Sequence, residues 1–312
     1  MKVSYTVTPF LKSELHTIEE IRNKNLLYLT PPSVERKLAW ETKIYRTYFM
    51  LTSSDKKVRK SRLDQIFRET TPKKNIPEVE ELAYRYKQAQ DYIEQNWTLE
   101  RGHVSENDIK RIHHTLTSGP AQKVRDIKAA LEFIQSTPEH PIIQAALAYE
   151  MLLPLFEDKE LAGRIATCAS YIFLYKGGYD MKRQLIIEEY LTRDQEAHTQ
   201  AAEAAFDTGN LSPFLDQFVN AIRTQAEAAF QKRMEESDNS ASIRALYKLN
   251  DRQKQILTLL EEPGGRLSNK NVQKLYDISQ VTASRDMAKL VHLGLIRPHG
   301  KGRSVYYTIS NS

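Results

Sequence analysis

Six residues, EDKELA, stand between two apolar segments, HPIIQAALAYEMLLPLF (140–156) and GRIATCASYIFLYKGGY (163–179). In them Glu157, Asp158 and Glu160 set three carboxylates against a single Lys159, and Gly163 and Arg164 follow at once. Two like unit charges ~4 Å apart near a protein surface cost roughly 4 kcal/mol before screening, so this turn repels a polyanion that brings no metal. Phe156, at the head of the turn, has no titratable nitrogen and supplies no proton acceptor. The flanks are apolar at helical spacing, through Ile143, Leu147 and Met151 and then Ile165, Cys168, Ala169 and Ile172. That pattern predicts two buried helices joined by a short charged turn, the second opened by Gly163 and Arg164. The plainest reading of the turn is a solvated helix connection in which Arg164 pairs with a neighbouring carboxylate.

The same stretch resembles the Fic (Fido) family, whose signature H-P-F-x-[DE]-G-N-G-R-x-x-R lies between an H-P-x-I-x-A-A-L helix and a helix ending in G-Y. The first motif matches His140 to Leu147 and the last matches Gly178 and Tyr179, with no gap between them. The resemblance implies that the catalytic histidine position falls on Phe156, its Pro on Glu157 and its Phe on Asp158. Glu160, Gly163 and Arg164 survive as a nucleotide-binding remnant, whereas the first Gly is Leu161, the Asn is Ala162 and the final Arg is Thr167. In an intact site, the resemblance implies, the histidine deprotonates a hydroxyl on a target protein, which attacks the α-phosphate of ATP while the loop amides and Arg hold the phosphates. Without the imidazole, a general-base factor of typically ~10²–10⁴ has no source here. Leu161 and Ala162 also disfavour the positive-φ backbone that lets successive N–H groups converge on an anion, and as good helix formers they extend the second helix backward. Magnesium bridging Glu160 to phosphates is a further implication of the resemblance, and nothing else in the sequence recruits the ion. ATP and magnesium are therefore expected only if a residual site functions, with no catalytic residue and no resident metal. His140-Pro141 looks like the catalytic dipeptide but starts the preceding helix, and no catalytic role is assigned to it.

Toward the N-terminus, YTVTP, the PPSVERKL run and Arg46-Thr47 are similar to the leader of Fic proteins that carry an inhibitory helix, [ST]-x-x-x-E-[GN], whose Glu blocks the γ-phosphate of ATP. On that resemblance Leu51 stands at the hydroxyl position, Asp55 at the Glu and Lys56 at the Gly or Asn. A brake has eroded alongside the base. A surface turn, TSSDKK, accounts for the same residues.

The C-terminal segment carries a different chemistry. Asn250 is placed to cap DRQKQILTLLEE and Ser268 to cap NKNVQKLY, and Asp277-Ile278-Ser279 turns the chain into QVTASRDMAKLVHLG. Two strands, Ile296 to Pro298 and Ser304 to Ile309, flank a glycine-rich tip bearing Lys301 and Arg303, which completes the pattern of a winged helix-turn-helix. Leu257, Leu260, Val272, Leu275, Val281, Leu290 and Val291 are the expected core. TASRDMAKLVHLGLI followed by GKGRSVYYTI resembles the winged-helix tail of many Fic proteins and bacterial regulators. From residue 241 onward twelve cations face five anions, a net +7, whereas the rest of the chain is −2. Concentrated cations suit the phosphate contacts that dominate affinity for double-stranded DNA. In a major-groove pose Gln280, Thr282, Ser284, Arg285 and Lys289 face outward, where Arg reads guanine and Gln reads adenine, and Lys301 and Arg303 grip the backbone or minor groove from the wing. The same charges also suit a domain that contacts proteins or dimerises.

The elements that position these residues are read as mainly α: a Fic-like helical bundle with N-terminal helices, plus a small α+β winged-helix domain. Thr8-Pro9 begins an amphipathic helix with Leu11, Leu15, Ile18 and Ile21 on one face; further helices are expected from Ser33 to about Leu51, from near Ile76-Pro77, and from Ser105, with Ile109, Ile112 and Leu116 inward. GPAQKVRD and IKAALEFIQ occupy the place of the flap that covers the site in Fic proteins, here short enough to be helical. Beyond Tyr179 two long helices are expected at 181–207 and 212–236. The domain boundaries follow: 1–75, an N-terminal helical region; 76–236, the Fic-like core; 237–248, a linker; and 249–312, the winged helix. The 312 residues, 40% hydrophobic, suffice for more than one core. No apolar run approaches a membrane span and the start has no signal-peptide core, which points to a cytoplasmic protein that does not bind membranes. The lone Cys168 sits on an apolar helix face as a small buried hydrophobe, and the eight histidines show no metal spacing. Three functions fit: a DNA-binding transcription regulator on a pseudoenzyme body that senses nucleotides or a protein partner; an active or weak protein AMP-transferase; and a protein-interaction scaffold. A homodimer on paired half-sites is compatible with the first.

Overall fold

The structure, a computed structural model, describes residues 4–69, 76–97, 102–117, 119, 126–136, 139–193, 200, 208–239, 249–261, 265–300, 302 and 305–310. The chain divides into one unit of Met1–Tyr28 and Leu38–Gln231 and a second of Leu29–Lys37 and Lys232–Ser312. Among the described residues its α-helices include α1 (Pro9–Leu27), α2 (Pro32–Thr52), α3 (Lys60–Arg68), α4 (Glu78–Asn96), α5 (Glu106–Thr117), α6 (Ile127–Ser136), α7 (Pro141–Leu152), α8 (Lys159–Gly177), α9 (Ile187–Arg193), α10 (Ser212–Asn239), α11 (Asp251–Glu261), α12 (Asn269–Tyr276) and α13 (Gln280–His292). Two strands follow, β1 (Ile296–His299) and β2 (Tyr306–Ile309). No helix among the described residues is long and apolar enough to cross a membrane.

The first unit is built around α7 and α8. Both are apolar on nearly every side, with Ile142, Ala145, Ala146 and Leu147 buried on α7 and Leu161 to Tyr175, apart from Gly163 and Arg164, buried on α8. A helix of that kind belongs at the centre of a bundle. Its close approach rests on small groups: the Ser170 hydroxyl donates to Ala145 O at 2.7 Å, and Gly177 lies so near Pro141 that a Cβ there would sit 2.4 Å from the ring. His140 caps α7 by accepting the Ile142 N–H at Nδ1, 3.3 Å, while Gly178 closes α8 at φ 74°. The Tyr179 hydroxyl donates to Glu19 and lies 3.0 Å from His140 Nε2, so the ends of the hairpin that match the Fic motifs lock to each other and to α1.

α1 presents Leu11, Leu15, Ile18 and Ile21 to the core, as its spacing requires, and Thr8 caps it by accepting the Leu11 N–H. Helices on both sides of residue 75 share this core, through Leu51, Leu63, Tyr86, Ile109, Leu131 and Phe214 among others. A buried polar cluster joins α2, α4, α8 and α9. The Glu188 carboxylate accepts from Tyr86 at 2.5 Å and Tyr171 at 2.7 Å; the Arg46 guanidinium lies 4.0 Å over the Tyr171 ring and donates to Leu185 O.

Two expectations fail in this region. The helix expected over 181–207 starts only at Ile187, because Met181, Lys182 and Arg183 all take positive φ (46°, 54° and 65°). Asp180 accepts the Arg183 N–H at 2.9 Å and Met181 and Leu185 are buried, so a side-chain turn displaces the helix there; 194–199 and 201–207 lie outside the described residues. Likewise α10 continues to Asn239, through buried Arg233 and Ser237, so the expected linker at 237–248 begins inside a helix; 240–248 are not described. In the flap region 127–136 is helical, and 120–125 lie outside the described residues.

The helix-turn-helix has its own core of Leu249, Ile256, Leu257, Leu260, Val272, Ala283, Met287, Leu290 and Ile296. Asn250 and Gln253 cap α11 reciprocally, Ser268 and Asn271 form a capping box on α12, and Asp277 in the left-handed region ends that helix at φ 48°. Buried Asp286 on α13 is fully paired, accepting from Arg252 Nε at 2.7 Å and Gln253 Nε2 at 2.6 Å on α11. β1 and β2 pair antiparallel from Ile296↔Ile309 to His299↔Tyr306, and Leu267 bridges to Tyr307. Leu275 and Val281, expected in the core, are 56% and 61% exposed. With Ala283, Met287 and Leu290 inward, the 100° step of the helix carries Val281 to the opposite side.

Candidate functional site

The turn between α7 and α8 holds the surviving signature residues. Its backbone passes through a 3-10 turn, Leu153–Leu155, into extended Phe156, whose ring is buried against His113 with centroids 6.1 Å apart. Asp158 caps α8, its carboxylate accepting the Leu161 N–H at 3.1 Å and its carbonyl the Ala162 N–H at 2.8 Å. A carboxylate there is favoured by the positive end of the helix dipole. Leu161 and Ala162 point into the core and the helix starts at Lys159, so glycine freedom is unused: a Cβ on Gly163 would meet nothing within 4 Å.

Glu160 and Arg164, one turn apart, are paired with each other, Arg164 Nη2 donating to Glu160 Oε2 at 2.5 Å. The turn that ends α2 joins them: Ser54 Oγ accepts from Arg164 Nη2 at 3.3 Å and Lys56 Nζ lies 3.7 Å from Glu160 Oε2. The position matched to the inhibitory glutamate, Asp55, is exposed at φ 54° in that same turn, and Leu51 is fully buried. The structure therefore gathers Ser54, Lys56, Glu160 and Arg164. A contact between residues 110 apart has no signature in the sequence.

A magnesium-bound triphosphate does not fit these residues. The Glu160 oxygen that would face the ion is neutralised by Arg164 and Lys56, the Leu161 and Ala162 amides are taken by Asp158, and the side chains of Leu161 and Ala162 fill the core where an open glycine loop would be. Among the described residues no group of three or more His, Cys, Asp or Glu is placed to hold a metal. His140 stands at the far end of the 19-residue α8, about 28 Å away at 1.5 Å per residue, occupied in capping α7.

On the helix-turn-helix, Gln280 and Arg285 are exposed on α13, while Thr282, Ser284 and Lys289 are half-buried. Thr282 Oγ1 lies 3.0 Å from the capping Ser279 Oγ, and Ser284 Oγ accepts from Asn269 on α12 at 3.3 Å, so both serve the turn. Lys301 and Arg303 lie outside the described residues. In the wing His299 stacks on Tyr306, centroids 5.1 Å apart, and its Nε2 lies 2.8 Å from Thr308 Oγ1.

A family model described as a DeoR-like helix-turn-helix domain matches residues 252–306. Among solved structures, a Fic family protein from Desulfovibrio desulfuricans G20 aligns with a TM-score of 0.59 and 15% identity over 100% of this chain and 99% of that one. Fic-1 from C. elegans aligns with a TM-score of 0.56 and 16% identity, over 72% of this chain and 71% of that one. No curated protein matches the sequence. At such identities the likeness is one of fold: a Fic-fold body and a DeoR-like helix-turn-helix domain in one chain.

Proposed function

We propose that this Fic-fold chain with a DeoR-like domain is a DNA-binding regulator whose body no longer transfers a nucleotidyl group and instead receives a signal from a ligand or partner protein. One observation carries the reading: from residue 241 onward, across the DeoR-like domain, twelve cations face five anions, while the remainder of the chain is slightly acidic. Neutralising phosphates is the sequence-independent part of DNA affinity, and this charge is concentrated where a recognition helix can use it. The turn before α8 supports a body without turnover, since Phe156 offers no base and Arg164 is already held by Glu160 and Ser54. Function resides in the site and not in the fold.

The test uses the full chain in two assays. Short duplexes titrated at 50 and 200 mM salt should bind and lose affinity by roughly tenfold or more across that range, as several released counterions require. α-labelled ATP with magnesium and a cell extract should leave no label on protein. Binding that ignores salt, or none at all, points to a protein-interaction scaffold; label transfer that disappears in Glu160→Ala or Arg164→Ala restores the transferase.

A further inference from the structure

One stripe of α13 faces water along its whole length. Val281, Arg285, Ala288 and His292 are all exposed, spaced four, three and four residues apart, opposite buried Ala283, Met287 and Leu290. Val281 opens that stripe in the first turn, with 61% of its surface in solvent. A β-branched side chain there gains nothing from helix propensity and nothing from the core. It packs only against whatever the recognition helix meets.

We infer that Val281 reads the C5-methyl of a thymine in the major groove, beside a guanine read by Arg285; this rests on the DNA-binding reading above. The occupant follows from the company Val281 keeps. A protein partner seated on this face would want an apolar stripe, but the next position along it is the Arg285 guanidinium, Gln280 precedes it, and the segment from residue 241 carries a net +7 that complements phosphate. In the major groove thymine presents its methyl to apolar side chains and guanine presents O6 and N7 to a bidentate arginine. Four residues of helix advance about 6 Å, close to two base-pair steps of roughly 3.4 Å, so the two bases lie within about two pairs of each other.

The experiment selects duplexes from a randomised library with the full chain at low salt, then replaces each thymine of the selected site by deoxyuridine, which removes only the methyl. The wild-type chain should lose roughly fourfold affinity at one thymine, the worth of burying one methyl. Val281→Ala should bind the parent duplex about that much more weakly and be indifferent to the replacement, and Arg285→Ala should lose the preference for the neighbouring guanine. Because Val281 is exposed, its truncation leaves the fold intact, which a melting curve checks. The inference is overturned if deoxyuridine costs the wild type nothing at every thymine, or costs Val281→Ala as much as the wild type. Low-salt binding with no enriched sequence leaves phosphate contacts standing and removes base reading alone; absence of binding removes the DNA reading and this inference with it.

Discussion

His113 and Phe156 lie nearly face to face, ring centroids 6.1 Å apart and planes 23° from parallel, and neither imidazole nitrogen has a hydrogen-bond partner among the described residues. Burial, with a smaller push from His114, lowers the His113 pKa, so the ring is held neutral as a hydrophobic neighbour of the position where the Fic resemblance puts a base. A buried polar group without a partner costs free energy that an apolar group of similar size does not.

His113→Leu should therefore stabilise the chain by about 1 kcal/mol at pH 7.5. The sign with pH follows from linkage. The unfolded imidazole takes up a proton as pH falls through its ordinary value near 6.5, which the folded one refuses, so this group costs the wild type stability below that value. Urea unfolding at pH 7.5 and 5.5 should show a larger gain for the variant at the lower pH. A loss at both values means that the ring has polar contacts.

Two glycines of α8 should respond to alanine with opposite signs. A Cβ on Gly177 would stand 2.4 and 2.7 Å from Pro141 Cβ and Cγ, whereas one on Gly163 meets nothing within 4 Å. Gly163→Ala gains helix propensity and should raise stability by roughly 0.5–1 kcal/mol. Gly177→Ala forces a rigid ring to move at a cost of about 1–3 kcal/mol, which outweighs the same propensity gain. Thermal melts of the pair should move in opposite directions; equal shifts would remove the argument that Gly177 serves the close approach of α7 and α8.

The frame was legible where one signal decides one feature. Continuous apolar faces, a Pro at the first turn of α7 and a Gly after α8 define a central hairpin without knowledge of its neighbours, and Asn250, Ser268 and Ser279 announce their helices by capping chemistry. Other features depended on partners that the sequence does not pair. A helix is expected over 181–207, but the Asp180 carboxylate and the buried Met181 and Leu185 hold a left-handed turn at its start. Val281, expected in the core, faces solvent because the helix phase is set by Ala283, Met287 and Leu290. Arg46 and Glu188 are charged yet buried, with Leu185 O accepting from Arg46 Nε and the Tyr86 and Tyr171 hydroxyls donating to the Glu188 carboxylate, partners that no sequence pattern pairs.

Glu150 on α7 is buried with Oε2 unpaired among the described residues, and burial raises its pKa to about 7. Its folded carboxyl keeps a proton that the unfolded chain gives up near pH 4.5, so the folded state binds more protons and stability falls as pH rises from about 4.5 to 7. Glu150→Gln keeps the shape and removes the ionisation. The variant should gain on the order of 2 kcal/mol over the wild type at pH 8 and nothing at pH 4.5, measured by urea unfolding. A difference independent of pH would mean that the carboxyl ionises freely in the folded chain.

Restoring the imidazole alone should not restore chemistry. Phe156→His returns a proton acceptor to the turn, stacked beside His113, but leaves every obstacle to the phosphates: Asp158 still takes the Leu161 amide, Arg164 remains on Glu160 and Ser54, and Leu161 and Ala162 still point into the core. General-base assistance multiplies a rate only for a substrate already held in line, and positioning of the reacting groups is worth more than the base itself. α-labelled ATP with magnesium should give no label above background with Phe156→His. The triple variant, Phe156→His with Leu161→Gly and Ala162→Asn, reopens the loop at the expense of two buried side chains and should be the first form to bind the nucleotide, read by equilibrium dialysis. Transfer by the single variant would mean that the closed turn opens by itself and that the base was the only part lost.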